Sequence, residues 1–483
     1  MPRRKQENDG DSKTQSKKRR KKKTEAESDE SDLDGEENFK GNGKAAVNND
    51  DDVQDEPAID ITLDPPLTTG ELLICGGTNW DLLGRSKVPA GMKNKGGPNL
   101  LGPHRVKDLM GIKIRTVAAG PTSCHCAIIT DEGKVLTWGR NEKGQLGHGD
   151  TNRRDTPTKV DALEQFNIVD VACGRNHTLF LTEKGQVYSV GENKYGQLGY
   201  GHQNATSNLP LRVHYKGPPI RKLACGGDFS VLSDIRGSVY TFGCPEYGQL
   251  GHNTDGKYFV TSNKLSFRCE LIPRKVLVYI EKNRDGHVLP ITDVVVRDIA
   301  CGTNHTIVRD SKNRVFSWGF GGYGRLGHAG PKDEMVPRLV KFFDGPNRGA
   351  LQVFAGSQFT LATGETGALY LWGKTKVSGE AAMYPKLVHD LTGWKVRAVS
   401  CGNRSIMALA DDSVISWGPS PTCGELGYGE SKATSSTTPL EAKPFDGVYI
   451  QNLALGFCFS LLIARADSEE EKTKLEKFPI FTP

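Results

Sequence analysis
The chain has 483 residues and a formal charge of +5, and its 56 glycines are nearly twice the usual share of about 7%, which suits many tight turns. Its 11 cysteines, odd in number and scattered, give neither a disulfide framework nor a zinc spacing and point to a reducing compartment. The longest apolar run, residues 453–464, is too short to span a bilayer, so no membrane span is expected, and the opening residues do not read as a secretory signal.

Residues 1–66 form two opposed charge blocks. Residues 1–23 carry 11 Lys/Arg against 3 Asp/Glu, and residues 24–66 carry 2 against 15. Neither block has the large apolar residues needed to offset the entropy of ordering it, so the arm is expected to be disordered. The basic peak is Lys17, Lys18, Arg19, Arg20, Lys21, Lys22 and Lys23, with Arg3, Arg4 and Lys5 upstream. Clustered positive charge in that spacing suits a two-part nuclear import signal or binding to a phosphate backbone; a solvating tail is the plainer alternative.

From residue 67 to 465 one unit keeps returning. Its fullest copy is residues 171–199: a small residue, Cys173-Gly174, His177-Thr178, an apolar run, a turn, a second run ending at Gly191, then Gly196-Gln197-Leu198-Gly199. The opening glycine recurs as Gly120, Gly174, Gly226, Gly302, Gly356, Gly402 and Gly456, and the second as Gly76, Gly139, Gly191, Gly243, Gly319, Gly373 and Gly418. A fixed period of about fifty residues overrides the length prior of about three domains and signals a repeat architecture. Segments such as Val135-Leu136-Thr137-Trp138 and Val187-Tyr188-Ser189-Val190 have the β-branched and aromatic content of strands, and no helical period is sustained. The chain reads as all-β, and short strands in an array remove their exposed edges by closing radially into a propeller. Leu72-Leu73-Ile74-Cys75-Gly76 is a second half-unit without a first, and residues 453–463 are a first half without a second. Joined, they make a split blade, giving seven blades in a ring closed by the two ends.

No catalytic constellation emerges from the repeats. Gly139 to Gly144 mimics half of a phosphate loop, but Gln145 stands where a lysine is needed, and the same spacing recurs at Gly191/Gly196, Gly243/Gly248 and Gly319/Gly324, which marks turn architecture. His125, His177 and His305 invite a metal or general-base reading, but the latter two, at matching positions on separate blades, are expected to be hydrogen-bonded strand residues. His148, His252 and His328 share a turn position with Tyr200 and Tyr428, which no metal-ligand role permits. Cys124 and Cys126 lack partner ligands. Neither a metal nor a cofactor is expected, and no nucleophile with a base can be picked out.

The succession Ala-Cys-Gly, Asn-His-Thr, Trp-Gly and Gly-Gln-Leu-Gly-His-Gly closely resembles the regulator of chromosome condensation (RCC) repeat family over about residues 67–465. The resemblance implies a seven-bladed β-propeller closed between the chain ends. It also implies a link to small GTPases, since the founding member is the exchange factor for Ran and uses a protruding β-element. An exchange factor needs no bond-making residue, only a distortion of the phosphate and magnesium site.

Departures from the repeat mark candidate sites. Residues 86–103 make a basic, glycine-rich loop with Lys87, Lys93, Lys95 and the nearby His104, and residues 373–379 have lost the Gly-Gln-Leu-Gly turn. The largest departure is the 76-residue interval from Gly243 to Gly319, about 24 longer than the one before it. In this insertion, residues 253–297, two strands are expected at 275–280 and Val288–Ile291, joined by a hairpin turn with an Asp-Gly signal. Lys282, Asn283, Arg284, Asp285, Gly286, His287, Val288 and Leu289 are the candidate GTPase contact, because a charged hairpin on a rigid ring delivers charge to a partner at low ordering cost. A decorative surface hairpin is the bland alternative. Residues 466–483 read as a charged tail with one or two helical turns before Pro479.

Outside the arm, 50 Lys/Arg face 40 Asp/Glu, a surplus that favours acidic partners such as nucleosomal DNA, the acidic histone surface or tubulin. The expectation is therefore a monomeric regulator of a small GTPase (Ran-, Rho/Rac- or Ral-like), exchanging nucleotide or masking switch regions. It would act in the nucleus, including nucleolus and chromosomes, and on the spindle and in the cytoplasm of dividing cells. The rival is a chromatin or microtubule adaptor that uses the propeller as a docking platform.

Overall fold
The structure is a computed structural model that describes residues 60–85, 97–283, 285–374, 380–418, 423–429 and 436–483. The basic run at residues 17–23, Arg284, and the lysines 87, 93 and 95 lie outside the described residues.

Seven sheets stand around an axis, each built on a four-stranded antiparallel meander from an inner first strand to an outer fourth. Blade 1 begins with Ile114–Ala118, blade 2 with Ile168–Cys173, blade 3 with Ile220–Cys225, blade 4 with Val296–Cys301, blade 5 with Ala350–Ala355, blade 6 with Val396–Cys401 and blade 7 with Ile450–Leu455. Each first strand lies against the next blade's, and that of blade 7 lies against that of blade 1. The second strands, such as His177–Thr182, are buried along their length, with Arg309 of blade 4 the partly exposed exception, because neighbouring blades cover both faces. They accordingly read as continuous apolar runs rather than alternating ones. The core is thus a ring of inter-blade clusters, one of which packs Ala127 and Ile129 of blade 1 against Val171, Phe180 and Val190 of blade 2.

The ring closes as the half-units predicted. Glu71–Gly77 pairs antiparallel with Phe459–Ala464, from Glu71 opposite Ala464 to Gly76 opposite Phe459. Blade 7 also gains a fifth strand, because Ile480–Phe481 pairs in parallel with the outer strand Asn99–Val106. Between them runs the helix Glu469–Leu475, started by a capping box in which Ser468 and Glu471 satisfy each other's backbone N–H groups. Leu475 is fully buried against Leu73, Met407 and Leu462, so the charged tail is packed into the closing blade. At the other end, Leu63 N–H donates to the Glu183 carbonyl and Asp60 pairs with Lys184, so ordered structure starts before residue 67.

The two recurrent glycines have separate reasons. At Gly139 the φ of +113° and a Cβ position 2.6 Å from His125 Cα exclude any side chain. At Gly174 a Cβ would sit 2.2 Å from the His177 ring, three places on. The same contact pairs Gly226 with Phe229, Gly302 with His305, Gly356 with Phe359 and Gly456 with Phe459, while Gly120 and Gly402 have a serine three places on.

The insertion differs from expectation. It holds two hairpins, not one, with a blade strand between them. Lys257–Thr261 and Lys264–Phe267 form a separate two-stranded hairpin, after which Glu270–Lys275 returns as the fourth strand of blade 3. The strand expected over 275–280 is therefore divided: Lys275 ends one sheet, Leu277 and Val278 are exposed, and Tyr279–Lys282 begins another. Tyr279–Lys282 pairs with Val288–Ile291 and reaches the outer strand of blade 4, Glu334–Leu339, through one parallel bridge, Ile280 to Arg338. Blade 4 is consequently six-stranded.

Candidate functional site
The repeat histidines are structural, for reasons written into the repeat. His125 Nε2 meets Thr178 Oγ1 of the next blade at 2.8 Å, and that hydroxyl donates back to the Gln145 carbonyl at 2.8 Å. The same relay runs from His177 through Ser230 to Gln197, and from His305 through Thr360 to Arg325. Because each hydroxyl donates to a carbonyl, it accepts from the histidine, which fixes the proton on Nε2. Burial pushes His125 down to about 3 and His177 to about 4, so both are neutral over the physiological range. The turn histidines bond the third strand of their own blade: His148 to Thr137 Oγ1 at 2.9 Å, His252 to Thr241 Oγ1 at 2.8 Å and His328 to Ser317 Oγ at 3.0 Å. Tyr200 and Tyr428 take the same place by donating to the carbonyls of Ser189 and Ser416. Histidine and tyrosine interchange there because either ring bridges turn to strand.

Burial also raises the repeat thiols, Cys173 to about 12, which leaves them protonated and poor nucleophiles. Among the described residues, no group of three or more His, Cys, Asp or Glu is placed to hold a metal ion, and no helix is long and apolar enough to cross a membrane.

The hairpin Tyr279–Ile291 has a buried root and an exposed tip. Tyr279 packs edge-on against Phe316 of blade 4, ring centroids 5.3 Å apart, and Ile280 is buried beside it. Two ion pairs add to the root: Lys282 with the buried Glu334, and Glu281 with Lys341. Glu334 is also bonded by Arg338 Nη1 at 2.8 Å, so the Lys282 charge is largely answered within the blade. The turn is organised by Asn283, whose Oδ1 accepts from the N–H groups of Asp285 at 3.0 Å and His287 at 2.8 Å, with Gly286 at φ +85°. Asn283, Asp285, Gly286, His287, Val288 and Leu289 are all exposed. Six of the eight candidate residues are thus exposed at or beside the turn, and Lys282 sits at its edge, half-buried.

The first hairpin was not anticipated from the sequence. Tyr258, Phe259, Val260 and Leu265 are exposed on it, Phe259 by 72%, and Lys257, Lys264 and Arg268 flank them. The signal available was the pair of short runs Tyr258-Phe259-Val260 and Leu265-Ser266-Phe267 around a Ser-Asn turn. It interrupts the connection between the third and fourth strands of blade 3, whereas Tyr279–Ile291 interrupts the connection to blade 4, so the two leave from opposite ends of the strands.

A protein-family model described as the RCC1-like domain matches residues 71–462. The Danio rerio "Protein RCC2 homolog" is 56% identical over 434 residues, covering 89% of this chain and 88% of that protein. The Homo sapiens "Protein RCC2" is 54% identical over 426 residues, covering 88% and 81%. Among solved structures, Saccharomyces cerevisiae Prp20p, described with its binding properties to Gsp1p and histones, superposes with a TM-score of 0.65 at 21% identity, covering 86% of this chain and 95% of that one. Human WBSCR16 gives a TM-score of 0.64 at 20% identity, covering 83% and 100%.

Proposed function
Because the chain belongs to the RCC1-like domain family, we propose that it regulates a small GTPase of the Ran, Rho/Rac or Ral kind, by exchanging its nucleotide or covering its switch regions. The observation that carries this reading is the Tyr279–Ile291 hairpin, whose root is buried on blade 4 and whose exposed turn is hydrogen-bonded to Asn283 Oδ1. A pre-ordered polar turn can reach a phosphate and magnesium site at little entropic cost. Asp285 can compete for a phosphate-binding lysine there, while Val288 and Leu289 supply apolar area beside it. Prp20p, which binds a protein named Gsp1p, supports the partner class by analogy of fold.

The same reading assigns the protein to nucleus, nucleolus and chromosomes, and to spindle and cytoplasm in dividing cells, with the lysines and arginines at 17–23 as the import signal. A second reading, a docking platform for chromatin or microtubules, draws on the surplus of 50 Lys/Arg over 40 Asp/Glu outside the arm. The deciding experiment is capture of a GTPase panel in nucleotide-free, GDP and GTP-analogue states by the full chain. Preference for the nucleotide-free form supports exchange and preference for the GTP form supports masking; capture of no GTPase would end the first reading in favour of the second. For localisation, a fluorescent fusion lacking residues 1–59 is expected to shift to the cytoplasm, and one that stays nuclear counts against the import role.

A further inference from the structure
Where blades 6 and 7 meet, the N-terminal segment and the start of the tail border an open cleft of about 430 Å3. Tyr449, just before the first strand of blade 7, lines it. The Arg397 guanidinium lies 4.4 Å and the Arg465 guanidinium 4.5 Å from the centroid of its ring. Both arginines are fixed from behind. Arg397 donates Nε–H to the Asp411 carbonyl at 2.6 Å and one N–H from each Nη to the Ile450 carbonyl at 3.1 Å, so two of its five donors remain. It forms no ion pair with any described carboxylate; carbonyl dipoles and the Tyr449 ring are its direct partners. Arg465 gives its Nε–H to Glu471, whose place is set by the capping box, and its Nη groups stay open. One carboxylate, Asp467, lines the cleft against the two guanidinium groups.

The third feature is an unmet acceptor. Gln451 donates its amide N–H to the Thr69 carbonyl at 3.3 Å, while its buried Oε1 has no partner. A ligand that completes this set must offer oxygens in two directions and one hydroxyl donor. A planar carboxylate answers a single guanidinium fork and supplies no donor. A phosphate that keeps one proton answers both arginines with its other oxygens and gives its P–OH to Gln451.

We propose that the cleft around Tyr449 is a binding site for a phosphate group, held by Arg397 and Arg465 with Gln451 accepting its hydroxyl. The chemistry is shared by a free phosphate compound and by a phosphorylated side chain of a partner. The test uses the full chain, with 31P NMR titration of inorganic phosphate at constant ionic strength and matched arms of a phosphoserine peptide and inositol hexakisphosphate. Saturable binding in the low-millimolar range or tighter is expected, weakened about tenfold or more by Arg465→Gln and by Arg397→Gln, in keeping with loss of a charge-assisted pair. Tighter binding of the peptide assigns a phosphorylated partner, and tighter binding of the inositol compound assigns a soluble ligand. If Arg397→Gln unfolds because the Ile450 carbonyl loses its donor, Arg465→Gln and Gln451→Leu still decide the matter, since both lie at the cleft wall. Absence of saturation up to about 20 mM, or unchanged affinity in folded Arg465→Gln and Gln451→Leu proteins, overturns the site.

Discussion

A histidine in the second strand of blades 1, 2 and 4 is neutral because burial leaves no water to solvate a charge, and its Nε2–H is already given to a hydroxyl of the next blade. The unfolded chain has no such restriction, and its histidines take up protons near pH 6.5. The folded values lie lower, so the stability these groups contribute is complete above about pH 6.5 and is lost as the pH falls toward 4. For His177, at about 4 in the fold, the loss at pH 4.5 comes to roughly 2–3 kcal/mol. Melting temperature is therefore expected to fall more steeply from pH 6.5 to 4.5 in the native protein than in His177→Gln, and parallel curves would contradict the assignment. These histidines were legible in the sequence as paired strand residues because two of them fall at one place in the repeat. Their hydroxyl partners were not, since a relay between blades joins residues 53 to 55 positions apart.

At the scale of elements, the Tyr279–Ile291 hairpin separates root from tip, and the two can be altered independently. Replacing residues 283–287 with a glycine-serine turn removes the organising Asn283 bonds but leaves Tyr279 and Ile280 packed on blade 4. The variant is expected to melt with the native protein while losing about 2–4 kcal/mol of GTPase affinity, roughly 30- to 1000-fold. Titration against the GTPase captured from the panel measures it. Undiminished affinity in the folded variant would move the contact to the Lys257–Phe267 hairpin, which exposes Phe259 and Val260. Strand content here was readable, strand ownership was not. Residues 275–280 form one β-branched run, yet they end one blade and begin an addition to the next. The single bridge from Ile280 to Arg338 that decides this leaves no periodic trace. The Lys257–Phe267 hairpin escaped for a related reason: exposed apolar residues fall on both its faces, so no alternation announces it.

For the whole molecule, the repeat glycines made the ring readable, because a backbone approach like that of Gly139 to His125 tolerates no other residue at any blade. The split blade followed from counting half-units; the fifth strand did not, as Ile480–Phe481 is only two residues long. Removing residues 453–483 would strip Glu71–Gly77 of its inner partner and uncover the inner faces of blades 6 and 1. Such a protein is expected to aggregate or unfold without cooperativity, as followed by circular dichroism against temperature, and a soluble, sharply melting truncation would contradict closure by the ends. Pairing Glu71 with Ala464 also sets a schedule for synthesis. The strand that leaves the ribosome first among the blades waits for almost the last, about 390 residues later, which at roughly 5–20 residues per second is on the order of 20–80 s. Throughout that interval the nascent chain carries an unpaired edge made of Leu72, Leu73 and Ile74, and a chaperone that shields extended apolar segments has its natural client there.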